Sequence, residues 1–178
     1  MSDSQTEINK LEKSTKLFPK VADWYSIMAK ARERLIAILE NLEEEALDFT
    51  PNKEKFESIG TLLMHIAAVE WSWIFEDIDG LEFDYERFKY GFALRPNVNI
   101  PQIKGKSKQF YLNELNDVRN QVYDRLLKLK DEELENIIAS EGENYTIEWI
   151  LFHIIEHEIM HIGQILFLRR MFRLHNPS

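Results

Sequence analysis

Apolar residues recur along this chain at alternating steps of three and four over several long stretches, the spacing of helices that bury one face. In the first stretch Val21, Trp24, Met28, Ala31, Leu35, Ile38 and Leu42 hold that rhythm for three heptads. Pro19 suits its opening turn, where a missing N–H costs nothing. Lys30, Arg32 and Arg34 fall off this stripe, and Glu43-Glu44-Glu45 with Thr50-Pro51-Asn52 marks its end. A second helix is expected from a cap at Ser58, with Leu62, Ile66, Val69 and Trp73 as its stripe and a stop near Asp79-Gly80. A third opens near Ser107 and runs on Tyr111, Leu115, Val118, Val122, Leu126 and Leu129. After Asp131 comes a short amphipathic stretch, Glu133 to Ala139. The fourth helix, capped near Thr146, carries Ile150, Ile154, His157, His161, Gln164, Leu168 and Met171 and stops at Asn176-Pro177.

Helices of roughly 22 residues are about 33 Å long, which suits a four-helix bundle. The expected fold class is therefore all-α, as one domain over residues 1–178 with a polar leader at 1–17. Residues 80–106 form an unusually long connection, and connections of that length act as covers, lids or crossovers. This one can return the chain so that the second and third helices run parallel. It gathers Phe83, Tyr85, Phe88, Tyr90 and Phe92, either as a hydrophobic cover over one bundle end or as a wall of a small-molecule pocket.

Composition narrows the function. The chain of 178 residues has 22 Lys+Arg against 31 Asp+Glu, a net charge of −9, and this disfavours a nucleic-acid partner. It holds no cysteine, which removes disulfides, thiolate metal sites and a cysteine nucleophile, and which suits a reducing cytoplasm. No signal peptide or membrane-spanning run is expected.

The candidate chemistry lies with the histidines, of which the chain has five. His157 and His161 occupy consecutive positions on the core-facing stripe of the fourth helix. Positions i and i+4 differ by only about 40° around a helix, so both imidazoles point the same way. His65 lies on or beside the core face of the second helix. Buried imidazoles need partners, and one divalent cation can serve all three, with zinc, nickel, iron and manganese among the candidates. His153 extends the row by one turn but sits off the stripe, in a supporting or packed position. His175 falls in the tail and is expected in solvent.

The run His157-Glu158-Ile159-Met160-His161 also matches the zinc-protease pattern H-E-x-x-H. Those enzymes draw a third ligand from downstream. Here no Asp or Glu follows His161, and Gln164 and Phe167 stand where the extended motif needs Gly and His. Any third ligand must come from upstream, which disfavours the protease reading.

Two blocks carry a family resemblance. One is Leu62-Leu63-Met64-His65-Ile66-Ala67-Ala68-Val69-Glu70-Trp71. The other is His153-Ile-Ile-Glu-His157-Glu158-Ile-Met-His161-Ile162-Gly163-Gln164-Ile165. With four helices and a long middle connection, the chain resembles the DinB/YfiT-like superfamily over most of its length. The resemblance implies a bundle with its second and third helices parallel, and one divalent metal on His65, His157 and His161 that stays open to water or substrate. Homodimers are common in the family. Many members carry Arg after the third histidine, where this chain has Ile162. Characterised relatives include transferases of low-molecular-weight thiols and an isomerase, while others are described only as metal-dependent hydrolases. The implied activity is metal-assisted transfer of an external thiol to a small electrophile. Hydrolysis by activated water, or a non-catalytic dimeric metal-binding module, are the alternatives.

The remaining polar positions are weaker candidates. Glu158, adjacent to a ligand, suits a surface or helix-contact role better than that of a base. Gln164 is placed to hydrogen-bond across the core or to hold the site. Glu70 suits an interhelical contact. Arg169, Arg170 and Arg173 complement the helix C-terminus, where cations are favoured in any case.

Overall fold

The computed structural model describes residues 10–52, 56–91, 102–140 and 142–176. Helix α1 spans Pro19–Glu40 with Pro19 in its first turn. Helix α2 spans Ile59–Trp71 and continues without a break as a π-helical segment, Ser72–Ile78. A single turn, α3, covers Tyr85–Phe88. Helix α4 spans Lys108–Leu126, and α5 spans Ile147–His175. The caps fall where the sequence puts them: the hydroxyls of Ser58, Ser107 and Thr146 accept from the backbone N–H of Thr61, Phe110 and Trp149. At the start of α1 the N-cap is Phe18, which cannot cap, and Asp131 Oδ1 instead accepts from Lys20 N at 3.0 Å and Val21 N at 3.2 Å.

The chain is all-α apart from one small correction. The expected amphipathic stretch Glu133 to Ala139 is a 3₁₀ turn, Asp131–Glu135, followed by strand β1, Ile137–Ser140, which pairs antiparallel with β2, Glu143–Thr146. Its β-branched pair Ile137-Ile138 alternates outward and inward, and Gly142 supplies the positive φ of 87° beside the turn. The hairpin delivers the chain directly into α5.

Four long helices pack in a closed ring, α1 beside α4 and α5, and α2 beside α4 and α5. Bonds along the pairs fix their directions. Gly60 lies against Tyr111, Glu70 bonds Arg119, and Asp79 bonds Arg125, so α2 and α4 run parallel. Trp24 with Glu148, Arg32 with Glu158, and Glu43 with Arg173 make α1 and α5 parallel. The Tyr25 ring lies tilted beside that of Tyr123 while Lys108 reaches the carbonyl of Glu40, so α1 opposes α4. The long connection therefore does return the chain across the molecule. Within it Phe83 and Phe88 are buried against Trp71, with ring centroids 5.7 and 5.9 Å away. That is the expected hydrophobic cover; Tyr85 is exposed, Tyr90 is half-buried, and Phe92 lies outside the described residues.

The core seam of α1 runs through Val21, Met28, Leu35 and Leu39, with Trp24 and Ile38 only half-buried. Arg32, expected off the stripe, is buried. It is one of four charges, one from each long helix, that meet at the centre. Arg32 Nε donates to Glu158 Oε1 at 2.8 Å and Arg32 Nη2 to Glu70 Oε2 at 2.7 Å. Arg119 bonds Glu70 through Nε and Glu158 Oε2 through Nη2 at 2.8 Å. Arg32 Nη1 also donates to the carbonyl of Leu115 at 2.6 Å. Burial pushes the Glu70 carboxyl up, but the guanidiniums of Arg119 and Arg32 outweigh it and hold the group below the usual carboxylate range. Burial likewise acts to lower Arg32, and Glu70 and Glu158 more than reverse it. Glu158 is thus an interhelical contact and not a surface residue, and Glu70 takes the interhelical role expected of it.

By length and composition α5 is apolar enough to cross a membrane, and half of that window is buried inside the molecule. Its inward half contributes Ile150, Leu151, Ile154, Ile165 and Leu168 to the core.

Breaking the ring of charges on one side leaves a buried charge uncompensated. Arg119→Met is expected to lose about 3–5 kcal/mol of stability in urea unfolding. Combining it with Glu158→Gln should cost less than the sum of the two single losses, because the second change removes the stranded charge. Additive losses would mean that the four groups do not act as a unit.

Candidate metal centre

Helices α2 and α5 lie side by side and antiparallel, and their contact brings His65 opposite His157 and His161. All three are buried. His157 Nε2 lies 3.0 Å from His65 Nε2 and 3.0 Å from His161 Nε2. The three ring nitrogens stand within 4.8 Å of one another, so the sequence-predicted triad comes together as a group.

The far side of two rings is already committed. His65 Nδ1 lies 2.6 Å from the carbonyl oxygen of Gly91, which can only accept, so Nδ1 carries the proton and Nε2 presents a lone pair. His161 Nδ1 lies 2.6 Å from Gln164 Oε1, and the same logic turns its Nε2 lone pair inward. His157 can donate from Nε2 to only one of these two neighbours. Without a cation at least one of the two inward lone pairs is left without a donor. A divalent ion removes that conflict. Metal–nitrogen bonds of about 2.0–2.1 Å from one ion set ligand nitrogens roughly 3.0–3.4 Å apart, close to the spacing found. Three protein nitrogens fill part of a transition-metal coordination sphere and leave a position open, the arrangement of catalytic sites.

The protonation states agree with ligation. Burial pushes His65 down to about 4, against the bond to Gly91 that raises it. Burial, and then the neighbouring His161, His65 and His153, push His157 down to about 2. Burial also lowers His161, partly offset by its bond to Gln164 and by Glu57. At neutral pH all three are uncharged and ready to donate lone pairs.

Supporting residues fall into place around them. Gly91 is pressed against α2 so closely that a Cβ there would lie 2.4 Å from the Met64 carbonyl oxygen and 2.7 Å from the His65 backbone nitrogen. Only glycine lets this carbonyl reach His65. Gln164 is exposed and does not continue the core stripe; its role is to orient His161. His153 sits off the triad, half-buried and stacked on Trp149 at 4.9 Å, edge-on to Trp73, with its ring 6.0 Å from that of His157. His175 is exposed, as expected, with its Nδ1 on the carbonyl of Met171. Ile162 is buried in the core. Arg173 pairs with Glu43, tying the end of α5 to the chain just beyond α1.

Three participants escape sequence reading: Arg32, Arg119 and Gly91. The two arginines had a faint signal, since each lies four residues after one core position and three before the next: Arg32 between Met28 and Leu35, Arg119 between Leu115 and Val122. Gly91 has no local signal, because its role depends on a contact across 26 positions.

Comparison with known proteins agrees with this arrangement. A family model described as DinB superfamily matches residues 27–165, a span that contains the triad and the four central charges. The uncharacterized protein YizA of Bacillus subtilis is 38% identical over 109 residues, covering 61% of this chain and 61% of its own length. The match therefore spans less than two thirds of that relative.

Two outcomes are expected. Elemental analysis of tag-free protein should find about one divalent metal per chain, lost in His65→Ala, His157→Ala and His161→Ala with helicity retained. An absence of metal after loading with zinc, nickel, iron and manganese overturns the centre. For metal-free protein the depressed histidine pKa values make the unfolded chain the better proton acceptor. Stability is then full above about pH 6.5 and falls as pH drops toward 4, and His65 alone contributes about 1 kcal/mol of loss between pH 7 and 5.5. Urea midpoints across that range should flatten in a His65→Gln variant.

Proposed function

This chain belongs to the DinB superfamily, and from that premise we propose that it is an enzyme working with one divalent transition metal held by His65, His157 and His161. The favoured reaction is transfer of an external low-molecular-weight thiol to a small, uncharged electrophile. The single observation that carries this reading is the set of three neutral imidazoles whose free nitrogens converge while two of their other nitrogens are tied down. A metal bound there supplies a Lewis-acid position at which a thiol or a water loses its proton more easily.

The rest is the work of the chain. Gly91 and Gln164 hold two rings in the ligating tautomer, so no reorientation is needed when substrate arrives. The central charges keep α2 and α5 in register, so the third ring stays opposite the pair. His153, an imidazole beside the triad whose pKa burial lowers, is placed to take up a released proton. Trp73, Tyr145 and Trp149 build an aromatic wall next to it that suits a flat apolar acceptor. With no cysteine in the chain, the thiol must come as a cosubstrate. Ile162, buried where many relatives carry Arg, leaves no cation at that position and favours an uncharged acceptor over an anion. The net charge of −9 supports a small-molecule substrate over nucleic acid, and the lack of cysteine supports a cytoplasmic setting. Hydrolysis is the second reading, with water in place of the thiol.

The test is a panel of thiols against model electrophiles with metal-loaded protein. Turnover should vanish with chelation and return with metal. In His153→Phe the metal content should be unchanged while kcat falls by about 10²-fold. Thiol-independent hydrolysis of esters or amides would select the second reading. No turnover in either metal state would identify a non-catalytic binding module.

A further inference from the structure

The four central charges are not spread evenly about the bundle axis. The two cations come from α1 and α4, and both Arg32 and Arg119 line a trough of about 360 Å³ beside those helices. The carboxylates of Glu70 and Glu158 come from α2 and α5, so the cationic half of the ring is the half next to the trough. Tyr25, Ala29 and Ile36 line it along α1, at steps of four and seven that keep them on one side of the helix. Ala29 and Ala37 present only methyl groups there, which leaves the space open. The histidine triad belongs to α2 and α5, the other pair of helices.

The two guanidiniums are not equally satisfied. Arg32 uses Nε and Nη2 on the glutamates and Nη1 on the carbonyl of Leu115. Arg119, only 5% exposed, bonds the glutamates through Nε and Nη2. Its Nη1, across the planar group from the Nε–Nη2 edge, is buried, and nothing among the described residues accepts from it. A buried donor without an acceptor is costly, and more so on a charged group. We propose that the trough binds a small apolar molecule through an uncharged acceptor, the carbonyl oxygen of a ketone or amide, which takes the Nη1 hydrogen of Arg119. Its apolar body lies along Ala29 and Ile36 and against the Tyr25 ring. Charge and donor chemistry select that head. Two guanidiniums already balance two carboxylates, so a third carboxylate would be buried uncompensated. The exposed rim residues Glu33 and Glu40 supply no cation to receive one. An amine head fails because a guanidinium only donates. The site stands apart from the metal chemistry, and its occupancy does not depend on an ion at the triad.

The test is an NMR titration of the whole 178-residue chain, with and without added zinc, using three probes of similar shape. Acetophenone carries the carbonyl, cumene lacks it, and benzoate replaces it with a carboxylate. In both zinc states millimolar acetophenone should shift the resonances of residues 25–40 and of the Arg119 guanidinium. It should bind about tenfold or more tightly than cumene, the worth of a hydrogen bond to a buried charged donor. Arg119→Lys, which keeps the charge and removes Nη1, should bring acetophenone down to the affinity of cumene. Ala29→Leu, which fills the trough from a half-buried position, should abolish binding with helicity retained. A folded Ala29→Leu protein that binds acetophenone as wild type does overturns the proposal, whatever the fate of Arg119→Lys. So does an absence of binding, or a set of shifts that gathers at His65, His157 and His161 instead. Equal affinity for cumene overturns it by showing that water alone serves Nη1, and tighter binding of benzoate overturns the uncharged head.

Discussion

The structure depends on four charges meeting where a bundle ordinarily keeps only hydrocarbon. Arg32, Glu70, Arg119 and Glu158 come one from each long helix, and each carboxylate accepts from both guanidiniums. Four ions in a core are expensive to desolvate, so the arrangement is tolerable only when all four helices stand in one register. A slip of one turn in any helix strands a charge of one sign against its own kind. Hydrophobic contacts between Leu and Ile tolerate such slips far better, because they are not directional. The ring is satisfied only in the observed register, with α2 and α4 parallel, and loss of any one partner leaves a buried charge uncompensated.

The histidine triad inherits that precision. Glu158 follows His157 directly in α5, and Glu70 lies five residues after His65 in α2. Two of the four charges thus sit on the same helix segments as the histidine triad. Fixing Glu70 and Glu158 on shared guanidiniums fixes the height of α2 against α5, and so the distance between His65 and its two partners. The site needs no long lever arm, because its alignment is set within one or two helical turns of the chemistry.

Much of this was legible in the sequence because helical periodicity exposes exceptions. His157 and His161 stand out as polar residues on an apolar stripe, and Ser58, Ser107 and Thr146 announce helix starts by their own side chains. What stayed hidden depends on partners far along the chain. Arg32 looked like part of a solvated face because Lys30 and Arg34 flank it, and only the matching Glu from another helix makes its burial tolerable. Asp131 caps α1 from 110 positions away, and the hairpin at 137–146 is too short for its alternation to outweigh the helical pattern around it. The contact between Gly91 and His65 belongs to the same class: it is a fact of tertiary structure without a local mark.

That last contact ties two regions into one equilibrium. The carbonyl of Gly91 belongs to the connection between α2 and α4, while the nitrogen it holds belongs to His65 of the triad. An ion held through this imidazole would favour the docked connection, and by reciprocity undocking would weaken its hold by the same factor. The covering segment and the centre beneath it are thus thermodynamically a single element. The docked end of the connection and the orientation of the His65 ring therefore stand or fall together.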